Sequence, residues 1–301
     1  MNPNEYLQEI LAQQTLSDED PEMKELRRRR KEIEKLLRDS FPDSPLSIRW
    51  GGSVAKGTTI RESYDGDMTC YFSEDETAAG TTLEELHGAV LRALETDYLI
   101  EQKASALRVK EKSPGRYGTD LHVDVMPGRF IDDTDTDVFL HRTTGDKERL
   151  KTNLGVHIEH VVESGVTEAI RLIKLWRARN GLCTKTFVLE LLVIELLKSR
   201  KSRGLSTQLE HIWTEFRDHA SDLCVEDLAN PHGNDLKPLL DQARSELQML
   251  ATTTLARIES SGWESVFGDV HEDKSEEKTR SALTAAAVRV TAPTKPWHGG
   301  R

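Results

Sequence analysis

The stretch from Trp50 to Phe72, WGGSVAKGTTIRESYDGDMTCYF, constrains the fold more than any other part of the chain. Just before it, Leu46 to Trp50 alternates apolar and polar residues and predicts a half-buried strand. Gly51 and Gly52 end that pattern, and Ser53 can cap a short helix running to about Ile60. Because neither glycine has a Cβ atom, a phosphate can approach the main-chain N–H groups, so the turn predicts a phosphate site.

Two carboxylates follow the turn at the start of a second predicted strand, Gly66 to Phe72. Asp65 and Asp67 lie two residues apart, so the alternation of a strand places them on one face. Neighbouring carboxylates repel each other unless a proton or a cation lies between them. Oxygen ligands of this kind suit Mg²⁺ or Mn²⁺, which also bind substrate phosphates. Either motif alone can be a solvated turn, but together they predict a metal and nucleotide site.

A third acidic residue lies in the later segment 119–127, TDLHVDVMP, which alternates until its proline ends the predicted strand. In that pattern Asp124 and His122 share a face. A strand here, next to that of Asp67, would complete a cluster of three carboxylates, enough to hold two metal ions. The alternative is an edge-strand aspartate that faces solvent. His122 is interpreted as a polar neighbour rather than a catalyst.

These motifs resemble the signature of the DNA-polymerase-beta-like nucleotidyltransferases. Within that superfamily they are similar to the branch that contains 2′-5′-oligoadenylate synthetases, cyclic GMP-AMP synthase and the bacterial cyclic-oligonucleotide synthases. That branch carries G-G-S-x-x-K-G-T followed by a strand with D-x-D. The matching residues here are Gly51, Gly52, Ser53, Lys56, Gly57, Thr58, Asp65 and Asp67.

The resemblance implies roles for residues further along the chain. Asp124 matches the family's third catalytic aspartate, which joins one metal and helps to deprotonate the attacking hydroxyl. Lys174 matches a lysine on the donor triphosphate, where the sequence alone would allow a helix-surface lysine. Thr186 and Phe187 match a phosphate-binding residue, more commonly serine, and an aromatic ring that stacks on the donor base, usually tyrosine. Phe187 could otherwise be a core aromatic.

The resemblance therefore implies two groups of site residues. The catalytic and metal-binding residues are Asp65, Asp67 and Asp124, with two Mg²⁺ ions, or Mn²⁺ in their place. The nucleotide-binding residues are Gly52, Ser53, Lys56, Lys174, Thr186 and Phe187.

Composition limits the partners and the compartment. The 301 residues carry a net charge of −11, which argues against binding of long nucleic acid, because that binding depends on neutralising phosphates. No apolar run approaches the roughly 20 residues that cross a bilayer, and the first residues lack a secretory signal. We therefore expect a cytoplasmic protein without a membrane partner. Three widely spaced cysteines predict neither a disulfide framework nor a zinc site.

The predicted fold class is α/β (α+β), with a small mixed sheet facing a helical lobe and nucleotides in the cleft between them. We expect bracing helices over residues 1–45, the catalytic lobe over 46–150, a helical lobe over 151–265 and a partly flexible segment over 266–301. The segment 131–146 is predicted to be a loop near the cleft. The apolar run FVLELLVIELL, which starts at Phe187, is expected at the centre of the helical lobe.

The predicted chemistry is nucleotidyl transfer, in which a ribose hydroxyl attacks the α-phosphorus of a nucleoside triphosphate and pyrophosphate leaves. The resemblance implies a synthase of a cyclic di- or trinucleotide for antiphage signalling, with ATP as the commonest donor in the family. Three alternatives remain. One is a linear oligoadenylate synthetase, although its RNA-activated members need a basic groove. The others are an enzyme that nucleotidylates a small molecule or a protein, and an inactive sensor, which would lack a carboxylate.

The chain ends in Gly299-Gly300-Arg301. Some bacterial members of the resembled family are joined through their C-terminal residue to other molecules by a ubiquitin-like conjugation system. The resemblance therefore also allows a conjugation partner or a protein regulator for this chain.

Overall fold

The computed structural model of the chain describes residues 1–113, 121–231 and 233–270. Residues 1–268 form one compact unit. The helices in this part of the chain are α1 Pro3–Gln14, α2 Pro21–Ser40, α3 Gly52–Lys56, α4 Leu83–Glu95, α5 Leu154–Val162, α6 Thr167–Asn180, α7 Thr186–Leu197, α8 Leu205–Asp218, α9 Lys237–Ser261 and α10 Glu264–Phe267. The strands are β1 Gly66–Phe72, β2 Tyr98–Gln102, β3 Leu107–Glu111, β4 Val123–Phe130, β5 Val138–His141 and β6 Arg149–Thr152.

The strands form one six-stranded mixed sheet with β4 at its centre, which confirms the predicted fold class. β1 pairs with β4 in parallel and covers one of its edges. The other edge of β4 is shared, because β3 pairs antiparallel with its first part and β5 with its last part. β2 and β6 lie outside β3 and β5.

Strand alternation gives this sheet one apolar and one polar face around β1 and β4. The apolar face packs in a core cluster with side chains of α2 and α4. Its strand residues include Met68, Cys70, Phe72, Val123 and Val125, each with 0% exposure. Because Asp67 and Asp124 alternate with these residues, burial of the apolar face directs both carboxylates to the opposite face.

The strand predicted over Leu46 to Trp50 is wrong as a regular element, because only two isolated bridges join this segment to β1. Between the bridges, the N–H of Arg49 donates to the side-chain Oγ1 of Thr69 at 3.0 Å. That hydroxyl in turn donates to the carbonyl oxygen of Ser47. A side chain thus replaces part of the main-chain ladder, and the segment approaches β1 without forming a continuous strand.

The predicted short helix is also shorter than expected and has a different cap. α3 ends at Lys56 rather than near Ile60, because Gly57 adopts the left-handed conformation with φ of +67°. Gly51 is the N-cap residue, and Ser53 lies inside the helix rather than capping it.

The proline of β4 does not end the strand, as the sequence pattern predicts, since β4 continues to Phe130. The N–H of Gly66 donates to the carbonyl oxygen of His122, so alternate residues of β4 direct their main-chain groups toward β1. Pro127 is one of the intervening residues, whose main-chain groups point toward the opposite edge of β4. Its missing N–H falls where the pairing with β3 has ended and the pairing with β5 has not begun, and the strand therefore loses no hydrogen bond there.

The segment 131–146, predicted as a loop, contains β5, which pairs with β6. Both strands have only four residues, too few for a visible alternation. Residues 119 and 120 of the predicted strand, and most of the C-terminal segment with its Gly-Gly-Arg end, lie outside the described residues.

The second half of the described chain is helical, as predicted. α7 is buried on almost every side, in agreement with its expected central position. Aromatic rings from α6, α8 and the α10 region pack together around Trp213, and they belong to Trp176, Phe216, Trp263 and Phe267. No helix in the described ranges is both long enough and apolar enough to cross a membrane.

Candidate active site

The three predicted carboxylates lie at one place on the polar face of the sheet. Asp67 in β1 and Asp124 in β4 are direct neighbours in the parallel register, and Asp65 immediately precedes β1. Burial, followed by the negative charges of Asp65 and Asp124, raises the pKa of Asp67 to about 7, against the opposing effect of Lys56 and Lys174. The register and the mutual repulsion both show that the sequence-predicted acidic residues are brought together.

The glycine turn packs directly against one of these carboxylates. Gly52 has φ of +51°, and a Cβ atom added there would lie only 1.7 Å from Oδ2 of Asp67. The N–H of Gly51 donates to the main-chain oxygen of Asp67 at 2.8 Å. Gly52 is therefore required both for its backbone conformation and for the space that it leaves to the carboxylate. This contact joins the glycine turn directly to the Asp-x-Asp motif.

Asp124 is held by an arginine that the sequence analysis did not single out. Nε of Arg108 donates to Oδ1 of Asp124 and Nη2 donates to Oδ2, each at 2.9 Å. Arg108 is the register partner of Asp124 on β3, so arginine, Asp124 and Asp67 form a row across three strands. His122 lies beside this row, with Nε2 4.0 Å from Oδ2 of Asp65 and 3.9 Å from Oδ1 of Asp124.

The donor set fits a hard divalent cation in its chemistry. Burial first, and then the charges of Asp65 and Asp124, raise the pKa of Asp67, and a bound cation would favour its ionised form. The described residues nevertheless contain no group of three or more His, Cys, Asp or Glu side chains already arranged around a common metal position. Asp65 and Asp67 could hold such an ion together, whereas both oxygens of Asp124 are engaged by Arg108.

A buried polar network joins the turn after α3 to the helical half of the chain. Nζ of Lys56 lies 2.6 Å from Oε2 of Glu190 on α7, and the hydroxyl of Thr58 donates to Oε1 of the same residue at 3.3 Å. Nζ of Lys174 on α6 donates to the main-chain oxygen of Thr58 at 2.7 Å. Burial lowers the pKa of Lys174, which is therefore no surface lysine. Glu190 is the residue that sequence reasoning missed, although an acidic residue between Leu189 and Leu191 in an apolar helix was a visible signal.

The two residues predicted to contact the nucleotide from α7 lie at its first turn. Thr186 and Phe187 are both partly exposed. The ring of Phe187 packs edge-on against His157, with centroids 4.9 Å apart, and Nζ of Lys56 lies 5.6 Å from its centroid. Lys56 therefore links this ring to the glycine turn. His157 is in turn 3.4 Å from Oδ1 of Asp227.

Changing Glu190 to glutamine should destabilise the protein by about 1 to 3 kcal/mol, because Lys56 would keep its buried charge and lose its counter-charge. The measurement is the free energy of unfolding from denaturant titration. Glu195→Gln is the matched control, because Glu195 lies on the same helix in an exposed pair with Lys198, for which at most about 1 kcal/mol is expected.

The second arm of this experiment removes both partners. Glu190→Gln combined with Lys56→Met should recover part of the lost stability, because Lys56 then no longer leaves a buried charge without its partner. Equal losses in the Glu190 and Glu195 variants, or no recovery in the double variant, would contradict the network described above.

No protein-family model matches this chain, and no curated protein matches it in sequence. Solved structures do resemble it. Bradyrhizobium diazoefficiens CD-NTase CdnG, in complex with GTP, is 14% identical with a TM-score of 0.65, over 94% of this chain and 98% of that one. Escherichia coli MS115-1 CdnC with ATP is 18% identical with a TM-score of 0.64, over 89% of this chain and 98% of that one.

Vibrio cholerae DncV cyclic AMP-GMP synthase, described as a prokaryotic cGAS homolog, is also similar. It is 18% identical with a TM-score of 0.59, and the match covers 89% of this chain and 81% of that one. At sequence identities this low, the similarity to the three structures establishes a common fold. The chain therefore has the fold of these structures, over nearly the whole length of CdnG and CdnC.

Proposed function

We propose that this chain is a nucleotidyltransferase that makes a cyclic di- or trinucleotide from nucleoside triphosphates, with ATP among its substrates. The observation that carries the proposal is the pairing of Asp67 with Asp124 on adjacent strands, directly beside the Gly51-Gly52 turn. The solved neighbours support it, since CdnC was determined with ATP, CdnG with GTP, and DncV is named a cyclic AMP-GMP synthase.

The proposed reaction is a substitution at the α-phosphorus of the donor nucleotide. A ribose hydroxyl oxygen forms a bond to the α-phosphorus of the donor, the bond from that phosphorus to the bridging oxygen breaks, and pyrophosphate leaves. Repetition of this step within the linear intermediate closes the ring and releases a second pyrophosphate. In a cyclic trinucleotide, three transfers occur before the product is complete.

Four of the proposed site residues surround the position of the triphosphate. Gly52 leaves room for the carboxylate of Asp67 next to the phosphates, and Ser53 lies buried at the start of α3. Lys56 and Lys174 supply positive charge that reaches the acidic row, as their effect on the pKa of Asp67 indicates. This charge would stabilise the triphosphate as it breaks.

The remaining roles concern the base and the attacking hydroxyl. Thr186 would contact the phosphates, and Phe187 would stack on the donor base while His157 supports the edge of its ring. Asp124 would accept the proton of the attacking hydroxyl. Divalent metal ions, which we propose to be two Mg²⁺ held by Asp65, Asp67 and Asp124, would screen the triphosphate charge and activate the hydroxyl when bound.

The test is to incubate the purified protein with the four nucleoside triphosphates and Mg²⁺, and to analyse the products by chromatography and mass spectrometry before and after phosphatase treatment. We expect ATP consumption and a product without terminal phosphates, so that phosphatase leaves its mass unchanged. The Asp67→Asn variant is the control for contaminating activity.

Other outcomes would overturn the proposal in different ways. A phosphatase-sensitive ladder of oligoadenylates would indicate a linear synthetase, and its dependence on added RNA would strengthen that conclusion. Labelled AMP on a protein or small molecule would indicate nucleotidylation of another substrate. Absence of triphosphate consumption would remove the enzymatic proposal. The antiphage role remains a prediction.

A further inference from the structure

Arg108 occupies the third position of a charged row that crosses the sheet. Its register partner on β4 is Asp124, whose own register partner on β1 is Asp67. The guanidinium contacts both oxygens of Asp124 at 2.9 Å, and the side chains of this pair are 25% and 14% exposed. The planar fork of arginine fits a carboxylate in this two-bond arrangement better than any other side chain does.

This contact has a direct consequence for cation binding at the acidic row. A carboxylate that ligates a divalent ion presents its oxygens to that ion, whereas those of Asp124 are already hydrogen bonded to a fixed positive charge. A guanidinium at this distance also repels any cation that approaches the same carboxylate. Arg108 therefore competes with a divalent ion for the carboxylate of Asp124.

We propose that Arg108 controls metal occupancy, by holding Asp124 in the metal-free protein and releasing it when metal and nucleotide bind. This inference rests on the proposed function, since it assigns a metal role to Asp124. Arg108 is a positioning residue here, because it acts through Asp124 rather than on the reacting atoms. Its release would leave a guanidinium with free donors close to the acidic row, where phosphates are the natural partners.

The test measures binding of Mn²⁺ alone to the free protein, by calorimetry or by the electron paramagnetic resonance signal of unbound Mn²⁺. Arg108→Gln should tighten Mn²⁺ binding by about tenfold or more, because the guanidinium no longer holds Asp124 and both carboxylate oxygens can then ligate the ion. The same variant should unfold at a lower temperature without metal and show a larger rise in Tm on addition of Mg²⁺. Both readouts are independent of product formation.

Lys110→Gln is the matched control. Lys110 lies two residues along the same strand and pairs with the exposed Glu101, so the variant removes one positive charge from the same face without touching Asp124. Its Mn²⁺ affinity should remain within about twofold of wild type, because Lys110 forms its ion pair with Glu101 rather than with Asp124. Arg108→Lys, which keeps the charge but loses the fork, should fall between wild type and Arg108→Gln.

A further variant shows whether the effect passes through Asp124. In an Asp124→Asn background, Arg108→Gln should no longer change Mn²⁺ affinity by more than about twofold. A purely structural role for Arg108 predicts the same lower Tm without metal, but unchanged or weaker Mn²⁺ binding. That pattern, or failure of both wild type and Arg108→Gln to bind Mn²⁺, would overturn the inference.

The outcome can be separated from that of the proposed function. If Mn²⁺ binding responds as expected but no triphosphate is consumed, the control of metal occupancy stands and the enzymatic proposal fails. If products form but Mn²⁺ affinity does not respond to Arg108→Gln, the enzymatic proposal stands and this inference fails.

Discussion

Replacement of Asp67 by asparagine should reduce product formation by about a hundredfold to a thousandfold, the usual cost of removing one group that stabilises transition-state charge. The same change should make the metal-free protein more stable at pH 8. Burial, followed by the neighbouring carboxylates, raises the pKa of Asp67 to about 7, so its ionised form opposes folding. A pKa displaced upward by this amount corresponds to a destabilisation of about 2 to 4 kcal/mol above that pH.

The pH dependence has a defined sign. In the unfolded chain an aspartate ionises near pH 4, and in the folded protein Asp67 ionises near pH 7. The destabilisation of wild type therefore grows between these values and is constant above them. We expect the stability advantage of Asp67→Asn, measured by thermal unfolding, to be largest at pH 8 and to shrink toward pH 5.

Asp65→Asn is the matched control, because the Asp65 side chain is 46% exposed and its charge is better solvated. It should lose activity with a much smaller gain in stability. Added Mg²⁺ should raise the Tm of wild type more than that of Asp67→Asn. An asparagine variant less stable than wild type at pH 8 without metal would contradict the electrostatic description of this site.

The second large effect is expected at Gly52. Gly52→Ala should destabilise the protein by roughly 3 to 5 kcal/mol, because it adds a left-handed non-glycine residue and forces a methyl group into the carboxylate of Asp67. Activity should fall below detection, since any relief of the contact moves Asp67. Denaturant unfolding and the product assay measure the two effects.

Two other glycines separate the causes of this effect. Gly57 also has a positive φ, +67°, but a Cβ there would meet nothing within 4 Å, so Gly57→Ala reports backbone strain alone, roughly 1 to 3 kcal/mol. Gly51→Ala would place its Cβ 3.2 Å from the flexible end of Met126 and at an ordinary contact distance of 3.6 Å from Cβ of Asp67 and Cδ1 of Leu154, and it needs no positive φ. If Gly52→Ala resembles Gly57→Ala in both stability and activity, the contact with Asp67 is unimportant.

The sequence could predict the acidic row because alternation is a local property. Asp65, Asp67 and Asp124 were assigned to faces of two strands from the residues beside them, and parallel pairing then made Asp67 and Asp124 neighbours. Alternation could not predict which residues of neighbouring strands contact these carboxylates. Arg108 meets Asp124 because β3 pairs with β4 in one particular register, which no pattern within either strand specifies.

Lys56 shows a second limit of sequence reasoning. The motif assigned it to the nucleotide, and the structure pairs it with Glu190, 134 residues away along the chain. Whether Lys56 also contacts phosphate stays a prediction. The errors in predicted secondary structure have local causes that are too short to produce a recognisable pattern. The strands β5 and β6 have only four residues each, and a single left-handed residue, Gly57, ends α3.

The ion pair between α3 and α7 also bears on how the protein matures during synthesis. All three acidic residues and the glycine turn leave the ribosome well before Glu190 does, because they precede it in the chain. Until α7 emerges, Lys56 has no buried counter-charge to hold it. A nascent chain that has reached only α6 should therefore not yet hold Lys56 in place, and the packing around the glycine turn should be completed only after α7 has been made.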